Sequence, residues 1–243
     1  MTAAGSVFPF HVPPPFFRIG VGQHREAMLT RVLRLLTPPI IPAVARRFST
    51  PPPSAPASSP HFDEAGLAMF RKHVAAADSY AEYGCGGSTR FVLDNTKATV
   101  ASVDTSAEWV ECVRKLAGPN AGRLDITAVD VGPLGEWGTP LGYSRRDRFR
   151  TYVELPLLKA RQADVVLVDG RFRVASFLHA LLNTRAGTTI LFDDYSCRPE
   201  YHLVEEVCRP AERTERMVRF VTPESFDRAK ATTLEEAFTM VWQ

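Results

Sequence analysis

Five short apolar runs in this chain, at 77–82, 99–104, 124–130, 163–169 and 187–193, each end at an acid: Glu82, Asp104, Asp130, Asp169, and Asp193 with Asp194. Between them lie stretches of helical pattern at 90–95, 106–116, 152–162 and 172–183. Strands alternating with helices specify parallel pairing, because parallel neighbours need a crossover connection. The run from Val165 to Val168 is apolar without alternation, as a strand buried on both faces must be. The expected fold class is therefore α/β, a Rossmann-like doubly wound, mostly parallel sheet. A helix starting at Asp63-Glu64, with Leu67, Phe70 and Val74 on one face, should precede it, and another at 199–207 should follow the fifth strand. Candidate sixth and seventh strands, at 217–221 and 237–242, should complete a seven-stranded sheet antiparallel at its edge. Ligands of such sheets bind at the carboxyl ends of the strands, near the point where strand order reverses. Five acid-ended strands on one rim are more than a solvated surface needs.

The first strand end runs into a turn with glycines at 84, 86 and 87, and Ser88 and Thr89 then open a helix. Glycine lets backbone approach a ligand closely, and a helix N-terminus offers free N–H groups, so the turn is suited to a nucleotide. A dinucleotide fingerprint, G-x-G-x-x-G, would use Gly84 and Gly86, but its third glycine position holds Thr89. The pattern fits better as E-x-G-x-G-x-S, from Glu82 to Ser88. Asp104 follows Gly84 by 20 residues, a spacing suited to a carboxylate that accepts hydrogen bonds from both ribose hydroxyls.

This pattern resembles the first motif of class I S-adenosylmethionine-dependent methyltransferases, over about residues 62–243. The resemblance implies that Gly84, Gly86 and Gly87 pass under the methionine moiety of S-adenosylmethionine, with Ser88 closing the motif. It implies Glu82 near the methionine amino group, Asp104 on the ribose, and Asp130 and Val131 bordering the adenine. The stretches 83–89, 135–138, 168–173, 192–195 and 198–202 look, within the superfamily, like a group of bacterial methyltransferase-like proteins. The implied activity is methylation of a small-molecule hydroxyl. Three alternatives stay open: a cofactor-binding protein without catalysis, an NAD(P)-dependent oxidoreductase, and an aminopropyl transferase of the polyamine-synthase type.

The acceptor end should lie at Asp169, Asp193 and Asp194, on strands that neighbour each other in a class I sheet. Asp169 and Asp194 are the candidate catalytic residues. The three carboxylates are similar to the Mg²⁺ ligands of metal-dependent O-methyltransferases of the catechol and macrolide-sugar families. A hard divalent cation there binds carboxylate oxygens and lowers the pKa of a substrate hydroxyl. The bland alternative is that Asp169 caps the next helix and the Asp pair shapes a turn. The macrolide-sugar group carries another acid two residues after the first; here Arg171 stands there, placed to pair with Asp169. Arg145, Arg146, Arg148 and Arg150 form a basic loop that either meets an anionic acceptor or is simply solvated. Trp137 either flanks the ligands or plugs the loop from below. His179 and His202 fall in helices and are read as packing or surface residues.

Six of the 29 basic residues and one of the 27 acidic ones fall in 1–60, leaving residues 61–243 with 23 basic against 26 acidic. The body is thus slightly acidic, and no nucleic-acid surface is expected on it. Twelve of the 19 prolines also fall in 1–60, a region read as leader and linker ahead of the domain at 61–243. A basic amphipathic helix candidate at 28–37 and an Arg-Arg-Phe-Ser end at 46–49 allow two readings. One is a mitochondrial presequence leading to the matrix; the other is a helix docking on the domain or a membrane surface over 28–48. Without the first, a cytoplasmic location is expected. Four cysteines without CxxC spacing fit a reducing compartment, and no apolar run reaches transmembrane length.

Overall fold

The computed structural model describes residues 59–242. The leader expected at 1–60, with its presequence and membrane-surface readings, lies outside the described residues but for its last two.

Helix α1 (Glu64–Val74) starts where Asp63 Oδ1 accepts the Gly66 N–H at 2.9 Å, and it buries Met69, Phe70 and Val74. Strand β1 (Ser79–Tyr83) follows, then α2 (Gly87–Asn95), β2 (Thr99–Asp104), α3 (Ala107–Leu116) and β3 (Leu124–Ala128). A long loop leads to α4 (Phe149–Lys159), β4 (Val165–Val168), α5 (Arg173–Asn183) and β5 (Thr189–Phe192). A 3₁₀ helix (Pro199–Glu206), two short strands, β6 (Glu212–Arg213) and β7 (Val218–Val221), and α6 (Arg228–Phe238) complete the domain.

The seven strands form one sheet in the order β3-β2-β1-β4-β5-β7-β6. β1 to β5 pair in parallel, while β7 runs antiparallel to both β5 and β6. Side chains alternate across this sheet. Tyr80, Val100, Val165, Leu167 and Leu191 face the layer of α1 and α2. Ala81, Tyr83, Val103, Val166, Val168, Ile190 and Phe192 face α4, α5 and α6. Burial on both faces explains why β4 reads as an unbroken apolar run. Among the described residues no helix is long and apolar enough to cross a membrane.

Two elements differ from expectation. Residues 237–242 are not a strand: Asp227 caps α6 by accepting the Lys230 N–H at 2.9 Å, and the helix runs to Phe238. Ala231, Leu234, Glu235 and Phe238 recur at helical spacing on the side that meets the core, so helical packing overrides the strand-like apolar tail. The remaining edge strand is Glu212–Arg213 instead. β3 stops at Ala128, two residues before Asp130; the last rung of its ladder with β2 is the Val129 N–H donated to the Asp104 carbonyl at 2.8 Å.

Register fixes the rim. Tyr83 pairs with Val103 and Val168, and Val168 with Phe192, so the next residues, Gly84, Asp104, Asp169 and Asp193, stand in one row. Order reverses between β1 and β4, where a crevice must open.

Candidate functional site

That crevice is a cavity of about 720 Å³. Gly84 sits at φ +89°, and a Cβ there would lie 2.8 Å from Gly170 Cα; a Cβ on Gly170 would lie 2.6 Å from Gly84 N. The turns after β1 and β4 therefore touch backbone to backbone, which only glycine permits. The turn then enters α2, whose first residues, Gly87 and Ser88, line the cavity with the positive end of the helix.

Under the turn lies Glu82, fully buried and off the cavity wall. Its Oε2 accepts from the Tyr80 hydroxyl at 2.9 Å and from Ser88 Oγ at 2.8 Å. Its Oε1 accepts from Ser102 Oγ at 2.9 Å and from Thr89 Oγ1. Thr89 Oγ1 in turn accepts the Gly86 N–H at 2.9 Å. Burial pushes the Glu82 carboxyl up to about 7, against the pull of these hydroxyl donors. In this position Glu82 holds the turn in shape through Ser88 and Thr89. The same web explains why position 89 is threonine and not the third glycine of a dinucleotide fingerprint.

Asp104 lines the cavity. Its Oδ1 accepts the N–H groups of Thr105 (2.7 Å) and Ser106 (3.1 Å), and its Oδ2 the N–H of Cys85 (3.1 Å). Burial raises its pKa despite these donors. Trp109, in the first turn of α3, donates Nε1–H to the Cys85 carbonyl at 2.6 Å and stands beside Gly86. Trp137 stands on the cavity mouth, 86% exposed and held at φ +57°, so it is no plug beneath the loop. Sequence reading missed Trp109; its only signal was an aromatic opening the helix after the Asp104 strand.

Asp130 and Val131 do not border this cavity. Asp130 is exposed, accepts the Gly132 N–H at 3.0 Å and pairs with Arg145 at 3.3 Å, while Val131 is buried in the core behind the rim. The early end of β3 turns both away. Arg148 and Arg150 pair with Asp147 and Glu154, and none of Arg145, Arg146, Arg148 and Arg150 lines the cavity. His179 bonds Glu235 at 2.9 Å, and His202 the Tyr195 carbonyl at 3.1 Å, both away from it.

Asp169, Asp193 and Asp194 do converge, with carboxylate oxygens within 4.8 Å of one another. Three arginines share the cluster. Arg173 reaches Asp169 Oδ1 and Asp194 Oδ2, each at 3.1 Å. Arg216 reaches Asp193 Oδ2 and Asp194 Oδ1, each at 2.7 Å, and Arg198 lies 3.4 Å from Asp194 Oδ2. Arg173 is buried and also donates to the carbonyls of Gly170 (3.1 Å), Asp193 (2.7 Å) and Asp169 (3.2 Å). Burial, and then the Asp169 charge, pushes the Asp193 carboxyl up to about 8. Burial also raises the Asp169 pKa, an effect eased by Arg173.

These residues do not fit Mg²⁺. A hard dication needs a net negative shell. Here three guanidinium charges already balance three carboxylates, and Arg173 is held in place by three backbone carbonyls. The partner of Asp169 is also corrected: it is Arg173, not Arg171. Phe172, at φ +55°, turns the chain so that the later arginine enters the rim. Asp169 does not cap α5, whose N-cap is Phe172.

No protein-family model matches the chain, and neither does any curated protein. Among solved structures, a methyltransferase-like protein from Silicibacter pomeroyi DSS-3 is 30% identical, with a TM-score of 0.65 over 76% of this chain and 100% of that one. An O-methyltransferase from Bacillus cereus, in complex with SAH, is 14% identical, with a TM-score of 0.46 over 80% of this chain and 90% of that one. TomG, an O-methyltransferase from Streptomyces achromogenes involved in tomaymycin synthesis, in complex with SAM, is 14% identical, with a TM-score of 0.45 over 84% of this chain and 100% of that one.

Proposed function

Because the chain belongs to the class I S-adenosylmethionine-dependent methyltransferase superfamily, we propose that it binds S-adenosylmethionine in the rim cavity and methylates a small-molecule hydroxyl without a metal ion. One observation carries the binding half: the Gly84–Gly87 turn and the Asp104 carboxylate border one cavity at the reversal point of the sheet, beside Trp109 and Trp137. The fit is chemical. The glycine turn and the α2 N-terminus leave room and N–H dipoles for the amino-acid portion. Asp104 supplies an acceptor for ribose, and the indoles supply apolar faces for a purine.

When bound, S-adenosylmethionine supplies an electrophilic methyl group on a sulfonium. The protein's share is positioning, exclusion of water and removal of one proton. Asp169 is the carboxylate on the acceptor side of the cavity, with 31% of its side chain exposed, while Asp193 is buried. In this reading Asp169 accepts the hydroxyl proton, and Arg173 holds it in place. Asp194, bound by three arginines, keeps their charges fixed along the wall. The neutralised cluster also favours a second reading, a protein that binds the cofactor without turnover.

Thermal shift with S-adenosylmethionine, S-adenosylhomocysteine and NAD tests the binding half and its independence of metal. Either adenosyl compound at ~100 times its Kd should add about 2.7 kcal/mol, which is roughly 5–10 °C for a domain of this size. The shift should be the same with Mg²⁺ and with EDTA, and Asp104→Ala should abolish it. A shift with NAD alone would refute the cofactor assignment, and one that requires Mg²⁺ would restore the metal.

A further inference from the structure

Four arginines line the cavity, at 171, 173, 198 and 216. Three are paired with the carboxylate cluster. Arg171 is different. Among the described residues its guanidinium has no carboxylate partner; its one side-chain hydrogen bond runs from Nη1 to Thr139 Oγ1, at 3.4 Å. Its backbone is fixed, with the N–H donated to the Tyr152 hydroxyl at 3.0 Å. Burial, and then the neighbouring Arg173 charge, lowers its pKa. A half-buried cation beside another cation is costly unless an anion joins it.

We propose that Arg171 is the anion-binding residue of the acceptor half of the cavity, so that the hydroxyl-bearing acceptor carries a carboxylate or a phosphate. This rests on the methyltransferase reading above. Arg171 follows Asp169 and Gly170 at the end of β4, on the wall where the acceptor hydroxyl would meet Asp169. A guanidinium fork matches either anion in a bidentate fashion. Anchoring the anion there would orient the hydroxyl toward Asp169, two residues away in sequence. The donor's own α-carboxylate is the other source of the same chemistry, and the test separates the two.

Inorganic phosphate is titrated against the full chain and against Arg171→Gln and Arg171→Lys, each alone and saturated with S-adenosylhomocysteine, with melting temperature as the readout. The expected result is a saturable phosphate shift in the wild type loaded with S-adenosylhomocysteine. Arg171→Gln should weaken phosphate binding at least tenfold with unchanged affinity for S-adenosylhomocysteine, and Arg171→Lys should recover part of it. An equal phosphate response in wild type and Arg171→Gln overturns the proposal, as does no saturable response in wild type. Both leave the adenosyl shift intact. A loss of S-adenosylhomocysteine affinity in Arg171→Gln also overturns it, by assigning the guanidinium to the donor's carboxylate. If wild type shows no adenosyl shift at all, the methyltransferase reading fails, and the phosphate arm without S-adenosylhomocysteine still decides whether Arg171 binds an anion.

Discussion

Glu82→Ala lowers the unfolding free energy by about 4 kcal/mol at pH 5. The substitution strands four buried hydroxyls, those of Tyr80, Ser88, Thr89 and Ser102, at about 1 kcal/mol each. The deficit should shrink with rising pH. The folded pKa of Glu82, about 7, lies above the ordinary 4.5. Its contribution is therefore complete below pH 4.5 and is lost as pH rises through 7, by about 3 kcal/mol in all. Urea unfolding of wild type and variant at pH 5 and pH 8 measures both effects. A deficit equal at the two pH values would mean that Glu82 is an ionised carboxylate held by its donors. The variant should also bind S-adenosylhomocysteine more weakly, because Ser88 and Thr89 lose the group that fixes the turn.

Arg173→Met costs about 3–5 kcal/mol at pH 8.5, the range for removing one partner from a buried ion pair. Methionine fills the space but leaves Asp169 and Asp194 without their shared cation, and three carbonyls without a donor. Asp169 and Asp193 already have raised pKa values, and Arg173 is among the charges that hold both down. Without it both should rise further. A carboxyl whose folded pKa is raised stabilises most below its unfolded pKa, so the variant should recover stability as pH falls from 8.5 to 5. Urea unfolding at the two pH values checks this. A deficit under 1 kcal/mol, or one indifferent to pH, would show that the arginines do not neutralise the cluster.

The frame of the site was legible in sequence because strand ends and glycine turns are local. The alternation of strands and helices, with register, brings Gly84, Asp104, Asp169 and Asp193 into one row; the three acids are visible in sequence as strand ends and Gly84 as the start of a glycine turn. Partner choice was not legible. Glu82 is satisfied in part by Ser102, which reaches it only because β1 and β2 pair. Asp169 takes Arg173 and not Arg171 because of one left-handed residue, Phe172, and nothing in its side chain announces that backbone. Asp130 misses the cavity because β3 ends two residues early. The tail at 237–242 looked like a strand by its apolar content, although Asp227 and the spacing of Ala231, Leu234 and Phe238 carried a helix signal.

The most direct test of the cavity as a cofactor site is a crystal structure of the protein with S-adenosylhomocysteine. The ligand should lie across the Gly84–Gly87 turn, with both ribose hydroxyls on the Asp104 carboxylate and its sulfur facing Asp169. A ligand bound elsewhere, or one whose ribose makes no contact with Asp104, would contradict the assignment.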